Sequence, residues 1–243
     1  MRVPPPIWIA WHDIKGVVYL EMKSIAIDGP SGAGKSTLAR QLAKELGFLY
    51  VDTGAIYRTV ALKAQKCGAD PGVSSEVVPL LDEMDIRMSY EADGLQHMYL
   101  DGEDVTDAIR VHAVSQCASL VAAIPEVRTF LLDYQRKLAR VNSVVMDGRD
   151  IGTVVLPDAD VKIFLTASAE IRAKRRLLEL EQRGQQADFA TILRDIEQRD
   201  EQDRNRAVAP LRQAEDAVLV DTSMLDLEES LQAILNVVKA RIY

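Results

Sequence analysis

Cysteine is scarce in this chain. There are two cysteines in 243 residues, Cys67 and Cys117, and they form no CxxC pair. Two cysteines are too few for the disulfide framework that stabilises many small secreted domains. We therefore expect a reducing, cytoplasmic setting in which each cysteine acts as a small apolar residue.

Long apolar runs and an excess of positive charge are also lacking. No stretch contains the roughly 18 uninterrupted apolar residues that indicate a membrane helix. The formal net charge is −8, whereas broad nucleic-acid binding favours a basic surface. We therefore expect a monomer with neither a membrane nor a nucleic-acid partner. A local basic pocket for one phosphorylated ligand remains compatible with this composition.

The first 21 residues, MRVPPPIWIAWHDIKGVVYLE, differ from the rest of the chain. They contain three consecutive prolines and both tryptophans. They lack the continuous apolar segment and the small-residue cleavage site of a signal peptide. Met22 opens the segment MKSIAIDGP, which is typical of a natural protein start. We expect residues 1–21 to be a dispensable, loosely ordered extension.

The segment IDGPSGAGKST, residues 27–37, fits the phosphate-binding P-loop pattern. A short apolar run precedes it and an amphipathic helical pattern over residues 35–47 follows it, which is the context that this motif requires. We expect Lys35 to reach the β- and γ-phosphates of a nucleoside triphosphate and the Ser36 hydroxyl to bind Mg²⁺. The residues expected to surround the triphosphate are Gly29, Pro30, Ser31, Gly32, Ala33, Gly34, Lys35, Ser36 and Thr37.

Strand and helix patterns alternate along the chain. Apolar runs predict five strands, at residues 23–28, 48–51, 143–147, 160–168 and 217–223. Helical patterns fall at residues 35–47, 53–68, 107–140 with a break near Pro125, 169–182 and 227–242. Residues 85–105 carry the turn signals Asp93-Gly94 and Asp101-Gly102 and predict a small antiparallel insert. The alternation predicts an α/β three-layer sandwich, with a five-stranded parallel sheet covered by helices on both faces.

Polar and charged side chains follow the second and third predicted strands, and a third set lies in the charge-dense segment RDEQDRNR. These are positions at which a second substrate would bind. Open parallel sheets bind ligands beyond the carboxyl ends of their strands, and arginine forks suit a phosphate dianion. Taken together, these positions predict a small phosphorylated acceptor, although RDEQDRNR (residues 199–206) alone is more typical of surface ion pairs. The residues are Thr53, Tyr57 and Arg58 after the second strand, Asp147, Arg149 and Asp150 after the third, and Arg199, Asp203 and Arg206.

Four segments together resemble the bacterial cytidylate kinases, a nucleoside monophosphate kinase family: IDGPSGAGKST, DTGAIYR, DGRDIGTVVLPDA and RDEQDRNRAVAPL. The resemblance covers residue 22 to about residue 240. It implies a P-loop NTPase-type fold and Mg²⁺-dependent transfer of the γ-phosphoryl group of ATP to CMP or dCMP. It also implies a kinase domain at residues 22–243, containing an NMP-binding region at about 53–140 and a mobile helical LID at about 183–206.

The resemblance assigns the phosphate chemistry to a few cationic residues. Arg58 and Arg149 would hold the CMP phosphate. Asp147 ends the strand nearest the P-loop, and we expect it to orient Mg²⁺ through water while Ser36 binds the ion. The implied catalytic set consists of Lys35, Arg58, Arg149 and Arg199.

The resemblance also implies how the nucleoside is recognised. Ser119, Arg128 and Asp150 would read cytosine. A carboxylate can accept a hydrogen bond from the exocyclic amine of cytosine, and an arginine can donate to its ring acceptors. The remaining substrate residues are Thr53, Tyr57, Arg199 and Asp203 on the sugar side and Arg206 near the base or phosphate.

Two alternatives stay open from the residues alone. One is another small-molecule kinase, such as an adenylate or uridylate kinase. The other is a P-loop switch or regulatory binder without an acceptor, although the chain has no NKxD motif for guanine.

Nine arginines between residues 172 and 212 favour a segment that closes over the triphosphate and excludes water. Arg172, Arg175 and Arg176 share one helix face, which could meet the donor phosphates or be solvated.

Overall fold

The computed structural model describes residues 22–90, 96–182 and 184–242. The expected extension at residues 1–21 and the Asp93-Gly94 turn signal lie outside the described residues. The strands are β1 (Ser24–Asp28), β2 (Leu49–Asp52), β3 (Ile86–Tyr90), β4 (Gln96–Leu100), β5 (Glu103–Asp104), β6 (Val144–Gly148), β7 (Val161–Thr166) and β8 (Val218–Asp221). The helices are α1 (Lys35–Leu46), α2 (Thr53–Lys66), α3 (Ser74–Leu81), α4 (His112–Val121), α5 (Pro125–Val141), α6 (Ala169–Gln182), α7 (Phe189–Asn205) and α8 (Leu227–Ile242). No helix within these ranges is both long and apolar enough to cross a membrane.

The main sheet is parallel and has the strand order β2-β6-β1-β7-β8. Consecutive side chains of a strand point to opposite sides, and the central strands β1 and β6 bury side chains on both faces. In β1, Ile25 and Ile27 pack into one apolar cluster with α1 and α8. Ala26, between them, belongs to the cluster on the other face with α2, α4 and α5. This arrangement confirms the predicted three-layer α/β sandwich.

The insert is a separate antiparallel sheet with the order β3-β4-β5. Its second turn has left-handed backbone at both Asp101 (φ 52°) and Gly102 (φ 86°), which is the geometry that favours Asp-Gly pairs in hairpins. The Gln96 side chain joins β4 to the main sheet by accepting a hydrogen bond from the Asp52 N–H at 2.8 Å. The insert is therefore fixed beside the end of β2.

Two short elements differ from the sequence expectation. Helix α3 was not predicted, since its eight residues include Pro79 and two valines, which are weak helix formers. It forms because Val77 and Leu81 are buried in the core. A π-helical turn at Ile151–Val155 also follows β6. The predicted break near Pro125 is confirmed, because this proline occupies the first turn of α5.

Gly29, directly after β1, has no room for a side chain. Its φ is 150°, and an added Cβ would lie 1.9 Å from the Leu165 carbonyl oxygen of β7. We expect Gly29→Ala to lower the free energy of unfolding by more than about 3 kcal/mol, because backbone strain and a backbone clash add. Urea unfolding measures this. Gly68→Ala is the control, since φ is 69° there and nothing lies within 4 Å of the added Cβ. An equal effect at both positions would contradict the proposed clash.

Candidate active site

The P-loop wraps around a buried lysine at the start of α1. Gly32 and Gly34 adopt left-handed backbone, with φ values of 75° and 87°. Lys35 is buried, and its Nζ donates to the Pro30 carbonyl oxygen at 2.7 Å. Burial lowers the pKa of Lys35 to about 7, and the positive charge of Arg149 acts in the same direction. The first turn of α1 itself contains no acidic residue, and the N–H groups at a helix N-terminus suit a bound phosphate.

The Asp147 carboxylate lies beside the P-loop at the end of β6. Ser36 Oγ donates to its Oδ2 and the Tyr50 hydroxyl donates to its Oδ1, both at 2.9 Å. Burial raises the pKa of Asp147 to about 6. Thr53 Oγ1 donates to the Asp147 carbonyl oxygen at 2.7 Å, which aligns the start of α2 with β6. The structure therefore brings together the predicted pair Ser36 and Asp147.

Three arginines crowd together across from the P-loop. Arg58 pairs with Asp52 at 2.8 Å, and Arg149 pairs with Asp203 at 2.7 Å. Arg199 Nε is buried without a hydrogen-bond partner among the described residues. Burial lowers the pKa of Arg199 to about 10, and the positive charges of Arg149 and Arg58 add to this effect. We call Arg58, Arg149 and Arg199 the arginine cluster, and an anion placed there would relieve its charge repulsion.

A second group surrounds the buried Asp150. Arg128 Nη2 donates to one carboxylate oxygen of Asp150, and Arg206 Nη2 contacts the other at 3.4 Å. The Arg128 guanidinium also lies over the Tyr57 ring, 5.7 Å from its centroid, which is a cation–π distance. We call Tyr57, Arg128, Asp150 and Arg206 the base cluster. It contains both hydrogen-bond donors and acceptors.

Ser119 stays a prediction for the base pocket, and Gln135 is a buried residue that the sequence did not single out. Ser119 is half-buried in α4, and among the described residues no hydrogen bond joins it to Arg128 or Asp150. Gln135, which was not singled out, lies on α5 seven residues after Arg128 and is 1% exposed. Its side-chain amide lies beside the Tyr57 hydroxyl, where hydrogen bonding lowers the Tyr57 pKa against the larger rise caused by burial. Its only sequence signal is that it shares a helix face with Arg128.

Helix α7 packs against α6 and carries the third set of predicted residues. Arg199 and Asp203 lie in α7, and Arg206 ends it. The helical interpretation of this polar stretch is therefore confirmed. Asp200, which was not predicted, is buried and accepts from Arg172, whose Nη1 also donates to the Ser31 carbonyl oxygen of the P-loop at 2.9 Å. This link connects α7 to the donor side of the site.

The three arginines of α6 have different partners. Arg172 contacts the P-loop, as described above. Arg175 donates to the Thr222 carbonyl oxygen at 2.7 Å, and Arg176 pairs with Glu179 at 2.8 Å. The three arginines therefore do not all face the P-loop, where the donor phosphates are expected.

Most of this chain is similar to known cytidylate kinases. A family model described as cytidylate kinase matches residues 25–240. The cytidylate kinase of Caldicellulosiruptor bescii is 51% identical over 212 residues, which cover 87% of this chain and 93% of that protein. The cytidylate kinase of Pelotomaculum thermopropionicum is 51% identical over 217 residues, covering 89% and 96%.

A solved structure supports the fold alone. An uncharacterized protein from Eubacterium ventriosum is similar with a TM-score of 0.50 and 16% identity, covering 90% of this chain and 100% of that one. The family match is the more informative, because its range contains the P-loop, the arginine cluster and the base cluster. The chain belongs to the cytidylate kinase family.

Proposed function

We propose that this protein is a cytidylate kinase that transfers the γ-phosphoryl group of ATP to CMP or dCMP, giving ADP and the cytidine diphosphate. The observation that carries the proposal is the arginine cluster, in which Arg199 Nε is buried without a partner among the described residues. A buried guanidinium N–H that lacks an acceptor is costly. A phosphate dianion supplies that acceptor and neutralises the neighbouring charges.

The donor side fits a nucleoside triphosphate with Mg²⁺. Lys35 Nζ would exchange the Pro30 carbonyl oxygen for phosphate oxygens. Ser36 and Asp147 would hold Mg²⁺, since hydroxyl and carboxylate oxygens are the ligands that this ion prefers. No group of three or more His, Cys, Asp or Glu suited to a metal occurs among the described residues. Two protein ligands leave positions for phosphate oxygens and water, and the bound ion would neutralise charge on the transferring group.

On the acceptor side, catalysis depends on positioning and charge. Arg58 and Arg149 would hold the acceptor phosphate for in-line attack, with Arg199 completing the cluster. Asp203 holds Arg149 Nε at 2.7 Å and so fixes the guanidinium orientation before the substrate arrives. The rest of the proposed sugar-side set is Thr53, Tyr57 and Asp203.

The base cluster provides selectivity for cytosine. Asp150 would accept from the exocyclic amine, and Arg128 would donate to the ring acceptors. Uracil has an oxygen in place of the amine, so the Asp150 carboxylate would repel it. Arg206 holds the second oxygen of Asp150 at 3.4 Å and keeps the carboxylate from rotating. Ser119 stays a prediction for this pocket.

We also propose that the residues around α7 act as a LID. The NMP-binding region would span about 53–140 and the LID about 183–206. Supporting this proposal, α7 carries Asp203, which pairs with Arg149, and is joined to the P-loop through Asp200 and Arg172. Closure would exclude water from the triphosphate. A monomeric state and a cytoplasmic location stay predictions.

The test is ADP production with Mg-ATP and CMP, dCMP, UMP or AMP in parallel. We expect turnover with the two cytidine nucleotides and a kcat/KM for UMP and AMP lower by roughly 100-fold or more. ATP binding without CMP-dependent ADP formation would instead support a regulatory binder. Preference for AMP or UMP would support a different nucleotide kinase.

A further inference from the structure

We infer that Asp28, at the end of β1, is a positioning residue that sets the orientation of Asp150 and thereby the choice of base. The inference rests on the proposed function, because it concerns how the acceptor is selected. Asp28 belongs to neither the arginine cluster nor the base cluster. It lies one residue before Gly29, where the P-loop begins.

Both oxygens of the Asp28 carboxylate bind the turn that follows Asp150. Oδ1 accepts from the Ile151 N–H and Oδ2 accepts from the Gly152 N–H, each at 2.7 Å. These are the first two N–H groups of the π-helical turn Ile151–Val155. The first N–H groups of a helical turn have no partner within it and need an acceptor from elsewhere. Asp28, which is 5% exposed, supplies that acceptor from a different strand.

Asp150 occupies the position that would ordinarily supply this acceptor itself. It is the residue directly before the turn, where an aspartate side chain usually accepts from the following N–H groups. Here its side chain makes no such bond. Both of its oxygens face Arg128 and Arg206 instead. Because Asp28 takes over the capping role, the Asp150 carboxylate is available to the base.

The packing around the turn leaves little freedom for a different arrangement. An added Cβ at Gly152 would lie 3.2 Å from Lys162 Cδ and 3.4 Å from Asp28 Oδ2. In the sheet, Asp28 is paired in register with Gly148, the last residue of β6. Burial raises the pKa of Asp28 to about 6, and the two backbone N–H bonds act against this rise. Strand β1 thus leads into the P-loop on the donor side, and its last residue, Asp28, holds the turn that follows Asp150 on the acceptor side.

Asp28→Asn tests this role, because the amide group cannot accept the second N–H bond. The matched control is Asp160→Asn, since Asp160 Oδ2 accepts from the Ser24 N–H at 2.8 Å at the opposite end of β1. For Asp28→Asn we expect the KM for CMP to rise about tenfold and the CMP-to-UMP ratio of kcat/KM to fall about tenfold, as for one lost charge-assisted bond. The KM for ATP should change less than about threefold. In Asp160→Asn, the KM for CMP, the KM for ATP and the CMP-to-UMP ratio of kcat/KM should each change less than about threefold.

A double substitution separates positioning from a general structural role. If Asp28 acts through Asp150, adding Asp28→Asn to Asp150→Asn should change the CMP-to-UMP ratio less than about twofold. Additive losses would overturn the inference. It would also be overturned by wild-type CMP kinetics in Asp28→Asn, or by equal rises in the KM for CMP and for ATP.

A conservative variant keeps the inference testable if Asp28→Asn does not fold. Asp28→Glu retains the charge and both acceptor oxygens but moves them by one methylene. It should shift the KM for CMP in the same direction by a smaller factor, and an unchanged KM would overturn the inference. A wild-type protein that phosphorylates none of the four nucleotides would contradict the proposed function itself. An active wild type with an unaffected Asp28→Asn variant would contradict the inference alone.

Discussion

Replacing Lys35 by methionine should lower kcat for CMP phosphorylation by about 1,000-fold, the upper range for removing one preorganised charge-stabilising donor. Lys35 is the buried cation at the centre of the P-loop, and its Nζ needs only to exchange one carbonyl oxygen for a phosphate. Methionine keeps the aliphatic length without the charge. Steady-state kinetics with Mg-ATP and CMP measure the loss. Lys44→Met, on the exposed side of the same helix, should leave kcat unchanged.

The same variant should not lose stability at pH 7. Burial holds the pKa of Lys35 at about 7 in the folded chain, below the ordinary value of 10.5. The folded state therefore disfavours the charged amine, and this cost is complete below pH 7 and disappears as the pH rises toward 10.5. Urea unfolding should give Lys35→Met a free energy of unfolding at or above that of the wild type at pH 7. A folded variant that keeps more than about a tenth of the wild-type kcat would contradict the role of Lys35.

Replacing Asp150 by asparagine should lower kcat/KM for CMP by about 100-fold or more, because a hydrogen-bonding site that loses its matched partner discriminates strongly. It should also lower the free energy of unfolding by about 3 kcal/mol, since Arg128 and Arg206 lose the carboxylate that neutralises them. Discrimination against UMP should weaken in parallel, because the repulsive carboxylate is gone. Kinetics with both nucleotides and urea unfolding measure these effects.

Two comparisons make the Asp150 result specific. ATP binding, measured by calorimetry, should remain near the wild-type value. Asp133→Asn removes an exposed carboxylate that pairs with Lys137 on α5, and it should have little effect on stability or on CMP kinetics. Equal loss of ATP and CMP affinity in Asp150→Asn would show that the site had collapsed as a whole. Unchanged selectivity would remove Asp150 from base recognition.

The parts of the fold that local pattern determines could be predicted from the sequence. The β1 pattern of Ile25, Ala26 and Ile27 indicates a strand buried on both faces, and its two isoleucines and alanine do pack on opposite sides. Asp101-Gly102 indicated a hairpin turn, because few residues tolerate left-handed backbone. The P-loop was also predictable, because its glycines and its lysine occur at a fixed spacing between a strand and a helix.

The connections between distant residues could not be predicted from the same patterns. Asp28 reaches across more than a hundred positions to cap the turn after Asp150, and nothing in the periodicity of either segment indicates this pairing. Arg172 and Asp200 form a buried pair, whereas the sequence left Arg172 open between the donor phosphates and solvent and did not single out Asp200. Gln135 gave only a weak signal, the helix face that it shares with Arg128, because one polar residue in an amphipathic helix is ordinary. Such side chains are placed by tertiary packing, which a single sequence does not display.

The most direct test of the account is a crystal structure of the protein with CMP bound. It should place the CMP phosphate within hydrogen-bond distance of Arg58, Arg149 and Arg199, with Arg199 Nε paired. The exocyclic amine of cytosine should face the Asp150 carboxylate. A phosphate bound away from the arginine cluster, or a base that does not contact Asp150, would contradict the proposed acceptor site.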